Sequence, residues 1–332
     1  MATVGTNLLT LADWAKRLDP DGKIPAIVEM LSQKNEVLDD MKFAEGNMPT
    51  GHRSVLRTSL PTVSWRRINE GVTPSKSTTA QIDDSCAILE AWSEVDCELA
   101  KLGGNVSSFR LSEATSFVES MSQEMASTLF YGNASTAPEE FNGLATRYSA
   151  TSGANGQNIV LGGGSGSDNS SIWLVVWGSG IHGIFPKGSQ AGLKHTDHGE
   201  VTVETTAGIA GSRMRAYQDQ FTWHTGLTVR DWRDAVRIPN IDISNLVAKS
   251  SAADLFDLMI KATHRVTSLS SGTPVFYCNR TVKQMLDIQG RDDVQTGGQL
   301  SYSNVDGKPL MTFRGIPVRT VDALTEAEST VS

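Results

Sequence analysis

The chain has 332 residues, 39% of them hydrophobic and 20% charged, with a formal net charge of −8. That composition is ordinary for a globular protein with more than one subdomain, and its acidity argues against nucleic-acid binding by the whole protein, because an acidic chain repels phosphate. Three cysteines (Cys86, Cys97 and Cys278) without C-x-x-C spacing argue against a disulfide framework or zinc site and fit a reducing cytoplasm.

Residues 1–7 lack a basic segment followed by an apolar core, so no signal peptide is expected. The first fifty residues predict two helices. Leu8, Leu11, Ala12, Ala15 and Leu18 recur at helical spacing, and Ile24, Ile27, Val28, Leu31, Leu38 and Met41 form a looser second stripe. Residues 52–76 are basic, with Arg53, Arg57, Arg66, Arg67 and Lys76 against Glu70, a net of +4. Residues 60–68 predict a strand and Asn69-Glu70-Gly71 its turn. The sign then reverses. Residues 83–98 hold Asp83, Asp84, Glu90, Glu94, Asp96 and Glu98 with no Lys or Arg, a net of −6, and residues 87–95 alternate like a strand. Such a pair of segments suits like subunits meeting head to tail, or equally two solvated faces of one hairpin.

A helix is predicted over 112–131, with Ala114, Phe117, Val118, Met121, Met125 and Leu129 on one face and Gly132-Asn133 as a left-handed stop. Residues 150–171 are rich in Gly, Ser and Asn and predict a loop. The dense apolar run 172–177 predicts a buried strand and is far too short to span a bilayer. Further strands are predicted at 200–205, 214–223 and 227–229. A second amphipathic helix is predicted over 252–269, with Ser251 and Asp254 as a capping pair. Residues 275–278 predict a strand, Asn279 caps the next helix, and 309–321 form a last strand pair broken at Gly315-Ile316-Pro317. Helices and strands mix without βαβ alternation, so the fold class is α+β.

Several apparent motifs fail on physical grounds. Gly178-Ser179-Gly180-Ile181-His182-Gly183 matches G-x-G-x-x-G after a strand, but Pro186 and Gly188 would break the helix that a dinucleotide's pyrophosphate needs. Gly162-Gly163-Gly164-Ser165-Gly166 lacks the lysine of a phosphate loop. His195-Thr196-Asp197-His198 offers two imidazoles and a carboxylate without a third ligand nearby. No catalytic, cofactor-binding or metal-binding residue is assigned.

Five segments then resemble the major capsid proteins of tailed bacteriophages. Residues 130–144 (Phe-Tyr-Gly-Asn-Ala-Ser-Thr-Ala-Pro-Glu-Glu-Phe-Asn-Gly-Leu) resemble the stretch that follows the family's long spine helix. Residues 184–193, 226–242, 275–287 and 313–322 resemble later pieces in the same order. The resemblance implies the Hong Kong 97-type capsid fold, with an N-terminal arm, an extended loop, a peripheral domain with the spine helix and an axial domain. Their expected positions are 1–48 for the arm, 49–98 for the extended-loop hairpin, 99–149 and 196–240 for the peripheral domain (spine helix 112–131), and 150–195 and 241–332 for the axial domain and Gly-rich loop. The Gly-rich segment lies where the archetype has none, so the element order is expected to be variant.

The resemblance further implies a structural subunit, not an enzyme, without cofactor. It would form homo-hexamers and homo-pentamers of an icosahedral head around double-stranded DNA, assembled in the bacterial cytoplasm. Its partners would be a portal, a scaffold or cement (decoration) protein, and DNA through weak non-specific contact, with no membrane. The inter-subunit candidates are Arg53, Arg57, Arg66, Arg67 and Lys76, reaching acids such as Asp83, Asp84, Glu90 and Glu94 on another copy, with Trp65 as apolar anchor. Some family members cross-link subunits through a Lys–Asn bond; Lys76 is the only lysine in the proposed loop, and no motif supports the reaction. The alternatives are an encapsulin-like compartment shell, a tail-tube or decoration protein, and a nucleotide-binding enzyme using Gly178–Gly183.

Overall fold

The computed structural model describes residues 9, 32–102, 104–153, 155–204, 213–292, 300–305 and 308–332. The first expected helix, Leu9 apart, and residues 24–31 of the second lie outside these residues; the described part of the second is helical only over Val37–Asp40. In chain order the strands are β1 (Phe43–Glu45), β2 (Gly51–Ser59), β3 (Thr78–Asp96), β4 (Asn169–Gly178), β5 (Ile181–Phe185), β6 (Leu193–Glu204), β7 (Arg213–Val229), β8 (Ala235–Asp242), β9 (Gly272–Cys278), β10 (Leu300–Val305), β11 (Lys308–Phe313) and β12 (Ile316–Thr320). The three long helices are α1 (Val106–Tyr131), α2 (Leu255–Arg265) and α3 (Arg280–Asp292). One sheet runs β1-β5-β7-β3-β2 with β6 paired to β7, and the other runs β10-β11-β12-β9-β4-β8. Two compact units result. One includes Ile88–Ala126 and Gly192–His224; the other takes Glu36–Ala87, Ser127–Ala191 and Thr225–Ser332.

The larger unit is organised by β4. Every residue from Asn169 to Trp177 is buried, as a strand covered on both faces must be. Ile172, Leu174 and Val176 point to a core made with α2 and α3, including Leu255, Met259, Val282, Leu286 and Phe313. Trp173 and Trp177 point the other way. Trp173 packs on Phe130 and Tyr148, and the Trp177 indole donates to the Tyr277 hydroxyl at 2.7 Å. Cys278, wholly buried here, has its thiol pushed up to about 12 by desolvation. All three cysteines are free.

In the smaller unit, the inner face of β6 and β7 meets α1. Phe117 stacks on Phe221 at 6.1 Å, and Phe109 packs with Val95 and Ala100. Arg110 reaches Asp219 at 2.8 Å and Asp197 at 2.6 Å, holding the Asp197 carboxyl below its usual range.

Several elements differ from the sequence expectation. The helix α1 starts six residues earlier, capped by Asn105, whose side chain accepts the Ser108 amide at 3.1 Å. Its end involves no left-handed residue, since neither Gly132 nor Asn133 has a positive φ. Glycine is needed at 132 for a different reason: a Cβ there would lie 2.4 Å from the Phe141 carbonyl oxygen. The helix α2 is shorter than 252–269 and its cap is Asp254 alone, which accepts the Asp257 amide at 3.0 Å. The two strands expected at 214–223 and 227–229 are one strand, β7. The partner strand β6 begins earlier than 200, at Leu193. A bulge between Asp197 and Gly199, with Gly199 at φ 69°, interrupts its alternation and hides the first half from periodicity.

Candidate assembly surface

The hairpin of β2 and β3 carries the candidate residues. Its ladder runs from Gly51↔Ser85 to Ser59↔Thr78 and stops there. Residues 60–68, expected as a strand, form none. Pro61 offers no amide to a ladder, and no strand lies opposite. The turn is present one step earlier than expected, with the Glu70 amide donating to the Arg67 carbonyl at 3.2 Å and Asn69 at φ 69°.

Every residue from 57 to 76 is exposed. Leu60, Val63, Ile68 and Trp65 are among them, and Trp65 at 104% relative exposure touches almost nothing. Burying one such aromatic side chain contributes about 1.5–3 kcal/mol, and contiguous apolar surface of this kind marks a contact site. Among the described residues, the side chains of Arg57, Arg66, Arg67 and Lys76 have no hydrogen bond or ion pair.

The other candidates are already engaged in varying degree. Arg53 grips Asp83 across the hairpin through two bonds of 2.6 Å, which lowers the Asp83 carboxyl and raises the Arg53 guanidinium. This pair closes within its own hairpin. Asp84 is a correction. It is only 3% exposed, and its carboxylate takes Arg147 at 2.7 Å and the Thr228 hydroxyl at 2.5 Å, so it is not available to a second copy. Glu90 and Glu94 lie on the outer face of β3, and their described partners are uncharged. Glu90 accepts the Trp92 indole at 2.6 Å and the Gln220 amide at 2.8 Å, and Glu94 accepts Gln218 at 2.8 Å.

Alternation along β3 puts Ile88, Glu90, Trp92 and Glu94 on one face. Ile88 and Trp92 are exposed, and Trp92 stacks on His198 at 5.4 Å. The strand pattern of 87–95 contains this acidic and aromatic face, but nothing local marks Ile88, Trp92 and His198 as surface residues.

The remaining motifs resolve into structure. His195 bonds Asp219 at 2.8 Å and Asp197 bonds Arg110, which itself pairs with Asp219, while His198 bonds Gln220 at 3.1 Å, so His195 and Asp197 belong to an arginine-centred network and His198 stands apart from it. Among the described residues no group of three His, Cys, Asp or Glu could hold a metal ion. Gly178–Gly183 is a strand, a two-residue turn and a strand. A Cβ at Gly180 would sit 1.9 Å from an Asp234 carboxylate oxygen, so a larger residue there would have to displace that side chain.

A subunit that offers a long two-stranded arm and an uncovered charged sheet face is of the kind that is completed by copies of itself. The comparisons with known proteins define that kind. The sequence model of the family "Major capsid protein GP7" matches residues 19–332. A chain in the near-atomic structure of bacteriophage epsilon15 is 32% identical, with a TM-score of 0.81, over 100% of this chain and 99% of that one. The bacteriophage JBD30 capsid (8% identity, TM-score 0.44, 89% and 92% covered) and the holo-SrpI encapsulin complex of Synechococcus elongatus PCC 7942 (12%, 0.39, 70% and 96%) also align, with scores too low to carry an argument. No curated protein matches the chain. The chain belongs to the phage major capsid protein family GP7. It has the Hong Kong 97-type capsid fold, and it is a shell-forming structural subunit of the virion rather than an enzyme.

Proposed function

We propose that this subunit builds an icosahedral phage head by laying its β2–β3 hairpin over a neighbouring copy. One observation supports the reading: twenty consecutive residues, 57–76, are exposed around Trp65, with four cations that find no partner among the described residues. The receiving surface is the outer face of β3 on the neighbour, where Ile88 and Trp92 supply apolar area and Glu90 and Glu94 supply carboxylates whose described partners are uncharged. Residues 49–98 then correspond to the extended loop and α1 to the spine helix. The peripheral and axial domains keep the sequence divisions given above. Hexamers and pentamers are closed rings of heterologous contacts. Each contact is modest, because an exposed ion pair is worth only ~0.2–1 kcal/mol, and repetition on every copy makes the shell durable. A portal, a scaffold or cement protein, assembly in the host cytoplasm and weak contact with packaged DNA belong to the same reading. The net charge of −8 supports a container that does not grip its contents.

Replacing Arg66 and Arg67 by Glu tests the arm. Both side chains are fully outside the core, so circular dichroism will show an intact fold, while electron microscopy of the expressed protein will show no shells. Normal shells from the double variant would refute the assignment.

A further inference from the structure

At the root of the hairpin, four side chains from four strands close a ring. His52 on β2 stands opposite Asp84 on β3. Asp84 accepts the Thr228 hydroxyl of β7. Thr228 stands opposite His182 on β5, and the His182 ring meets the His52 ring edge to face, centroids 6.2 Å apart. The strands β2 and β5 are not hydrogen-bonded neighbours in the sheet, so the imidazole pair is a side-chain bridge from the arm to the body that holds it. Both Nδ1 atoms are buried and have no hydrogen-bond partner.

The charges facing this pair are few. From β3 comes the carboxylate of Asp84, already taken by Arg147 on the helical turn Leu144–Arg147. Beyond the end of β7 stands the cation Arg230. The nearby thiol of Cys86 is neutral, pushed up to about 11 by burial. The single acid is therefore spent on an arginine, and the group that favours an imidazolium most is neutral, the Gly178 carbonyl that accepts from the His182 ring.

We infer that the His52–His182 pair is a proton-sensitive joint that holds the hairpin root closed when neutral and loosens it on protonation. The inference rests, for its consequence in assembly, on the hairpin being the arm that meets other copies. Protonated, the two rings would place like charges side by side in a poorly solvated site that already contains Arg147, where repulsion is weakly screened. The geometry agrees with the direction of titration. Burial holds His182 below the usual imidazole value; the hydrogen bond to the Gly178 carbonyl opposes it, His52 and Arg230 add to it, and Asp84 opposes it least. The folded state thus binds this proton less readily than the unfolded chain. Its contribution to stability is complete above the unfolded value of ~6.5 and is lost as pH falls below it.

Hydrogen–deuterium exchange on the full chain, corrected for intrinsic rates, tests the joint. Lowering the pH from about 7.5 to about 5.5 is expected to raise exchange in 51–59 and 78–85 about threefold or more, while β4 stays protected. In the His52→Asn/His182→Asn double variant that selective rise disappears. The single variant His52→Asn, on a half-exposed edge strand, serves if the double variant does not fold. An unchanged wild-type profile, an equal rise in β4, or the same selective rise without the histidines would overturn the inference. Microscopy at neutral pH, with the Arg66 and Arg67 variant alongside, reports separately on the arm itself.

Discussion

Glu328 shows how much one side chain can hold. Its carboxylate takes Arg237 at 2.9 Å, the Tyr131 hydroxyl at 2.5 Å and the Ser171 hydroxyl. Arg237 lies over the Trp173 ring, 5.2 Å from its centroid, and donates to the Tyr148 carbonyl at 2.9 Å. Both charged side chains are nearly fully buried. A buried pair is a weak source of net stability, but removing one partner strands the other charge. Glu328→Gln keeps the shape and removes the anion. Denaturant titration should show a loss of about 3–5 kcal/mol, far above the effect of an ordinary surface change. None of this was legible in the sequence, because the partners are separated by up to 197 positions and no local pattern links them.

Among the elements, legibility followed local periodicity. The strand β4 and the helices α2 and α3 were foreseen from an unbroken apolar run and amphipathic stripes. Asn279 caps α3 as expected, accepting the Val282 amide at 2.8 Å. Elements whose limits depend on partners were not. The ladder of β2 and β3 ends where pairing ends, not where β-forming residues end, so Val63 and Trp65 misled. The first turns of α1 are Ser-rich and carry little apolar signal, so no periodicity points back to Asn105 as its cap. Asn105→Ala should cost about 1 kcal/mol, measurable as a lower thermal midpoint with helix content otherwise kept.

For the whole molecule, charge reversal between 52–76 and 83–98 was visible in the sequence, yet its meaning was only partly so. Intrachain pairing consumes Arg53, Asp83 and Asp84; in the proposed shell Arg57, Arg66, Arg67 and Lys76 face Glu90 and Glu94 of another copy. Attraction between exposed charges is screened over ~8 Å at physiological salt and ~3 Å at 1 M. Shell yield, followed by light scattering, should therefore fall as salt is raised during assembly. The family resemblance supplied the class of protein. The ordering of contacts needed coordinates, because burial decides which acids are still available.

The open ladder beyond Ser59 and Thr78 leaves a stretch of main chain whose amides and carbonyls have few partners at home. Its final shape is therefore dictated by whatever it touches. In the proposed shell that gives one polypeptide a local means of fitting unequal surroundings: the five-fold and six-fold positions can each finish the same finger differently, without any change in the cores behind it.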